Sequence, residues 1–268
     1  MKAYSEFEAI RSGRVRFDVV GAISCRYGLS KTTIYQWYRG TTPLGQRAGR
    51  IARVPELLYV LGALLGDGCI YHWRGNFQVW LVGERAFTAK FAKKLSVCLG
   101  RTVRPYKYGA KNAWFVRIGN AELYFLMKAV RTDHSAIGRV VEEAGGRHAW
   151  TEFIEGFFDA EGCVKVIREK ARRTPKICLD FCNTDLGLLN QVKEAVLREL
   201  GIESSVTSQD GKPPRKTAYH LRIYRKDDIA KFLAAIPTTK LTEEKGPLVE
   251  AWLAKRGRES PMSRLSQA

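Results

Sequence analysis

Methionine is scarce in this chain, histidine nearly as scarce, and acids fall far short of bases. Three Met, four His and 27 Asp plus Glu stand against 45 Lys plus Arg in 268 residues. The six cysteines (25, 69, 98, 163, 178 and 182) form no Cys-x-x-Cys pair and no cluster with the histidines, which argues against zinc. Cys178 and Cys182 lie four apart on a strand-like run and read as side chains on one face. Free thiols in a reducing interior are the expectation, and with no signal peptide an intracellular, non-secreted location (cytoplasm, nucleoid or organelle matrix). The apolar run Leu57 to Leu65 is too short for a bilayer and ends beside an acid, and no basic amphipathic helix stands out, so no membrane partner is expected. What remains is a net charge of +18, with aromatics interleaved in Tyr71-His72-Trp73-Arg74 and Arg104-Pro105-Tyr106-Lys107-Tyr108. Such a balance repels itself without a polyanion, and nucleic acid is the usual one.

Two segments say nearly the same thing: Val60-Leu61-Gly62-Ala63-Leu64-Leu65-Gly66-Asp67-Gly68 and Ile154-Glu155-Gly156-Phe157-Phe158-Asp159-Ala160-Glu161-Gly162. Each is an apolar run with an inner glycine, closed by a small residue, an acid and a glycine. An acid at the negative end of a buried helix is disfavoured unless a cation compensates it. The closing glycine is expected to stop the helix in the left-handed conformation. The repetition continues beyond the nonamers. Glu84 through Phe91, Leu95 and Gly100 lies over Asp185 through Val192, Val196 and Gly201, with apolar residues at helical spacing. Strand-like runs precede both helices, and Val116-Arg117-Ile118 answers Leu221-Arg222-Ile223. The chain therefore reads as two copies of an α-β-β-α-β-β-α unit, an α+β fold, with first half 51–146 and second half 147–256.

Before the repeats, Asp18 to Gly40 holds two short helices meeting at Gly28, with Ser30 placed to cap the second. This resembles a helix-turn-helix whose outer face presents Lys31, Thr32, Tyr35, Gln36 and Arg39; the alternative is a hairpin that only packs on the main body. Residues 1–50 thus form a DNA-contacting extension with a basic linker, Thr41 to Arg53, in which Arg47 and Arg50 are placed to track phosphates. Leu241 to Arg256 reads as a helix interrupted by Gly246-Pro247, and 257–268 as a flexible tail.

With both nonamers and the duplication in hand, the chain resembles the single-chain, two-motif LAGLIDADG homing endonucleases over roughly Pro55 to Lys245. The resemblance implies a saddle of two antiparallel sheets around two packed motif helices, with Gly62, Gly66, Gly156 and Ala160 letting the backbones approach. It implies that Asp67 and Glu161 bind magnesium (two or three ions, with manganese as a substitute), helped by the carbonyls of Gly66 and Ala160. It implies double-strand cleavage of DNA across the minor groove by a monomer at a long asymmetric target, as in intron homing. Asp159 is not a ligand by alignment. Arg85 and Lys240 are the candidate basic residues near the metals, and Glu84 and Asp185 fall where relatives position water. Arg172, Arg173, Arg222 and Arg225 are further DNA-binding candidates. By strand parity Lys165, Ile167, Cys178, Asp180 and Cys182 face DNA in the second half. An ungapped alignment gives Tyr71, Trp73, Phe77, Val79 and Leu81 in the first, an apolar set that a slip of one residue would change.

Two other functions fit the same residues. A DNA-binding regulator could keep the fold without cutting, although nothing in binding requires an acid at both positions. An RNA maturase acting on host intron RNA is the second. An intein is disfavoured, since the sequence starts at Met1 without an initial Cys or Ser and ends Ser-Gln-Ala rather than His-Asn.

Overall fold

The structure, a computed structural model, describes residues 2–11, 14–40, 50–73, 76–109, 113–168, 175–211 and 216–254. Three short helices come first: α1 (Lys2–Ile10), α2 (Phe17–Tyr27) and α3 (Lys31–Tyr38). Gly28 ends α2 in the left-handed conformation at φ 62°, and the Ser30 side chain accepts a hydrogen bond from Thr32 N to start α3. Tyr4, Phe7, Val20, Ile23, Ile34 and Trp37 close on one another as an apolar cluster separate from the main core. The expected helix pair is thus a three-helix unit with its own interior, α1 supplying Tyr4 and Phe7.

The main body repeats one order of elements. The first pass is α4 (Pro55–Gly66), β1 (Gly68–Trp73), β2 (Asn76–Gly83), α5 (Arg85–Leu99), β3 (Tyr106–Lys107), β4 (Trp114–Gly119) and α6 (Ala121–Thr132). After a short helix α7 (Ala136–Glu143), the second pass is α8 (Arg147–Glu161), β5 (Gly162–Ile167), β6 (Lys176–Asn183), α9 (Leu186–Leu200), β7 (Ser205–Gln209), β8 (Ala218–Ile223) and α10 (Lys226–Ala235). The antiparallel sheets run β1-β2-β4-β3 and β5-β6-β8-β7, the same topology twice. The fold is α+β, with one order of elements run twice, as expected.

Helices α4 and α8 form the spine of the shared core. Leu57 through Leu65 are buried without a break, so α4 is apolar all round. Glycine is required where the backbones cross. A Cβ on Gly62 would lie 2.4 Å from Phe153 O, and one on Gly156 2.1 Å from Tyr59 O.

Three expectations need correction. Paired residues share a face, and Tyr71 stands opposite Gln78, with Cys69 opposite Trp80. The outward face of β2 is therefore Gln78, Trp80 and Val82, while Val79 and Leu81 are core residues and Phe77 takes their parity. The helix expected from Leu241 begins instead at Lys245, as α11 (Lys245–Ala254); Pro247 sits in its first turn, where a missing N–H is tolerated, and interrupts nothing. The end of the basic linker is built into the fold: Ile51 N donates to Glu122 Oε2, and Arg53 pairs with Glu122 and Glu143. Arg53 therefore does not track phosphates. Arg47, Arg172, Arg173 and the 257–268 tail lie outside the described residues.

Candidate active site

The two motif acids end adjoining helices. Asp67 caps α4, its N–H bonded to Ala63 O at 3.0 Å, and Glu161 is the last residue of α8. A Cβ on Gly66 would meet Ala160 Cβ at 2.5 Å and Glu161 Cγ at 2.8 Å, so the helices converge at the acids themselves. The glycine after each acid is needed for room, not for a left-handed turn. Gly162 is extended (φ −84°), and Gly68 is not among the glycines with positive φ. A Cβ would fall 2.5 Å from Leu64 O at Gly68 and 2.3 Å from Phe158 O at Gly162.

The electrostatics follow from this convergence. Burial, then the charge of Asp67, push the Glu161 carboxyl up to about 7, against the opposing pull of Asn183 and Lys240. Asn183 Nδ2, at the end of β6, donates to Glu161 Oε1 at 3.0 Å. Asp67 is exposed, yet enough protein surrounds it to raise its carboxyl above the usual range, with the charge of Lys240 opposing. Lys240 Nζ donates to Ala160 O at 3.2 Å, so one cation serves both acids and the helix end. In the first half Arg131 does the corresponding work, donating to Leu64 O at 3.0 Å and Gly68 O at 2.8 Å. Neither Asn183 nor Arg131 stands out in the sequence. Asn183 ends β6 and Arg131 lies in the last turn of α6, each among other polar residues of its element, so neither carries a signal of its own.

Asp159 is fully buried and fully engaged. Its Oδ2 accepts from Tyr59 Oη and Lys90 Nζ at 2.9 Å each; its Oδ1 accepts from Thr238 Oγ1 at 2.6 Å and Thr239 N at 2.7 Å. Thr238 Oγ1 in turn accepts from Lys240 N at 3.0 Å. This carboxylate clamps the segment carrying Lys240 to α8. Lys90 also pairs with Glu155, and Lys94 with Glu152, joining α5 of one half to α8 of the other.

Residues 150–237 match the family described as LAGLIDADG-like domain. That similarity covers most of the second half of the chain. The segment α4 to α6 repeats the order of elements and the closing acid of that matched segment. An uncharacterized protein of Methanocaldococcus jannaschii is 29% identical over 158 residues, 56% of each chain. A second from the same organism is 24% identical over 222 residues, covering 76% of this chain and 75% of that one. Elongation factor 2 of Methanopyrus kandleri is 26% identical over 198 residues, 70% of this chain but 15% of the factor. This chain thus spans about half of the first relative and a small part of the last. Among solved structures, the homing endonuclease I-DmoI in complex with DNA and Ca has TM-score 0.49 at 20% identity, covering 73% of this chain and 97% of that one. The N-terminal LAGLIDADG domain of DUF199/WhiA has TM-score 0.49 at 15% identity, covering 74% and 88%.

The remaining sequence candidates lie around α4 and α8 at varying remove. The guanidinium of Arg85 is 5.3 Å from the ring centroid of Trp114. Glu84 precedes α5, exposed and without a capping bond from its side chain. Asp185 is committed: its Oδ1 accepts from Leu188 N and its Oδ2 meets His134 Nε2 at 2.9 Å. Burial opposes its ionisation, but the Leu188 N–H and His134 hold its carboxyl below the usual range. On the outer face of the second sheet Asp180 is a buried hub. Lys165 pairs with it, Arg222 Nε donates at 3.1 Å, and His220 Nδ1 lies 3.1 Å from both oxygens. Burial opposes its ionisation too; the Lys165 hydrogen bond and the His220 charge outweigh it and keep the carboxyl low. Asp180 thus serves to fix two cations, and its oxygens are not free to meet a base. Tyr71, Trp73, Lys31, Thr32, Gln36, Arg39, Arg50 and Arg225 are exposed, Arg225 facing Asp228 at 3.6 Å.

Proposed function

We propose that this protein is a site-specific, metal-dependent endonuclease that breaks both strands of a long asymmetric DNA target, as intron homing requires. The observation that carries the reading is the meeting of Asp67 and Glu161, one acid from each half, at the joined ends of α4 and α8 in a chain of net charge +18. Two carboxylates that repel each other in a partly dry site are poorly compensated by Lys240 alone.

The donor set suits a hard dication of the magnesium kind, which takes one or two carboxylates and fills its remaining positions with water and phosphate oxygens. No group of three His, Cys, Asp or Glu residues able to hold a metal occurs among the described residues, so phosphate and water have to complete the shell. Asp67 and Glu161 would hold the ion. The carbonyls of Gly66 and Ala160 are adjacent, and that of Ala160 already accepts from Lys240. When bound, the ion supplies Lewis acidity and lowers the pKa of a coordinated water. The rest falls to side chains. Asn183 orients the Glu161 carboxylate, and Lys240, held through Thr238 by Asp159, offers positive charge where negative charge builds on the departing oxygen. The outward faces of the sheets, with Lys165 and Arg222, would follow the grooves and phosphates.

The test is incubation with a randomised duplex library, once with magnesium and once with calcium, followed by sequencing of the cut ends. A single recurring asymmetric site with short 3′ overhangs, cut in magnesium, is the expected result. A library left whole in both magnesium and manganese would reject cleavage.

A further inference from the structure

The outward faces of the two sheets are chemically unlike. In the second half the face is ionic, with Asp180 gathering Lys165, His220 and Arg222. In the first half the corresponding positions are aromatic. Cross-strand pairing sets Trp80 opposite Arg117 in β4 and Tyr106 opposite Phe115. Ring centroids run Tyr71 to Trp80 at 5.6 Å, Trp80 to Phe115 at 5.7 Å, then Phe115 to Tyr106 at 5.0 Å and to Tyr108 at 5.7 Å. The Arg117 guanidinium sits 5.0 Å from the Trp80 centroid. Three of these rings are substantially open, Tyr71 at 43%, Tyr106 at 45% and Tyr108 at 57%.

Open rings seated on a half-buried Trp80 and a buried Phe115 make an aromatic patch of the kind that marks an interaction site. Among the described residues the charged group against these rings is a cation, Arg117, and no carboxylate belongs to the cluster, which suits an anion-bearing ligand on a basic protein. Duplex bases are stacked on each other and offer only edges to a groove, so edges are met by short polar groups and forked cations. Ring faces are rewarded only by bases that have left the stack.

We propose that the outward face of the first sheet is a stacking platform for unpaired bases of single-stranded DNA, with Tyr71 and Trp80 as the principal rings and Arg117 on the phosphates. The inference rests on the DNA reading given above but not on cleavage.

Fluorescence anisotropy decides it in EDTA, where no metal-dependent cutting interferes. The probes are labelled oligo(dT) of about 12 nucleotides, the matching dA·dT duplex and oligo(U). The wild-type chain should bind oligo(dT). Tyr71→Ala and Trp80→Ala should each weaken that binding by about 5- to 100-fold and cost the duplex a smaller factor. Tyr71→Phe and Trp80→Phe, which keep a ring, should retain it. Duplex binding without oligo(dT) binding, equal losses on both probes in the Ala variants, or loss in the Phe variants overturns the platform and leaves the endonuclease reading standing. Tighter binding of oligo(U) than of oligo(dT) overturns the assignment to DNA, and failure to bind any probe overturns the platform and the DNA reading together.

Discussion

Glu161 must hold its charge at the closed end of a buried helix, beside a second acid, and that tension is measurable. Its carboxyl sits at about 7 in the folded chain against 4.5 for an ordinary glutamate. Between those values the folded state binds the proton more tightly than the unfolded state, so stability declines as pH rises through the window and stays lower above it. Glu161→Gln mimics the protonated form and keeps an acceptor for Asn183. In metal-free buffer its thermal midpoint should match wild type at pH 4.5 and exceed it by about 2–4 °C at pH 8, roughly 1 kcal/mol for a chain of this size. A gap that does not change with pH would contradict the assignment. Lys240 opposes the rise at both acids. Lys240→Met should therefore carry the midpoint of that pH profile upward and slow cleavage by about 100-fold or more. An unmoved profile would remove Lys240 from the site. The two acids were legible in the sequence because they recur with their glycines, while Asn183 and Arg131 have no repeat to announce them. Asp159 was legible only as a non-ligand, since its partners come from α4, α5 and the segment after α10.

At the scale of elements, the convergence of α4 and α8 depends on missing side chains. A methyl on Gly156 would overlap Tyr59 O, a backbone atom that cannot turn aside. Gly156→Ala should thus destabilise by about 2 kcal/mol or more, as overpacking does. Gly138, inside α7, has no atom within 4 Å of the place a methyl would take and is the control; Gly138→Ala should stabilise by about 0.5–1 kcal/mol. Urea denaturation of both variants checks the pair; equal effects would mean that the helix crossing is not tight. Helix order and sheet membership were readable from periodicity. Strand register in the first half was not. Pairing alternates faces, and the hairpin between β1 and β2 sets odd residues opposite even ones, so an alignment that keeps parity across it inverts β2. The burial of Val79 and Leu81 settles the inversion, whereas in the second half polar Lys165 and Asp180 already mark the outer face. The α1 helix is hard to read because its apolar residues, Tyr4 and Phe7, gain meaning only against Trp37 and Tyr38.

At the scale of the molecule, two unequal halves and a separate three-helix unit are strung on one basic chain. The unit's exposed α3 face carries Lys31, Thr32, Gln36 and Arg39. Removing residues 1–45 should weaken duplex binding and flatten its salt dependence, by about 0.9 in the slope of log K against log salt for each phosphate that the shortened chain leaves unneutralised. An unchanged slope would return the unit to a role in packing or stability. The halves differ most in their outer faces, aromatic in one and ionic in the other, which an asymmetric target would match. Above these details stands the claim that one acid from each half forms a single cutting centre. Single-turnover cleavage of the selected target by wild type, Asp67→Asn and Glu161→Gln, each with magnesium, tests it directly. Either substitution alone is expected to abolish double-strand breaks while affinity for the target stays within about threefold, because charge is lost and shape is kept. Double-strand cutting at the wild-type rate by either variant would contradict it.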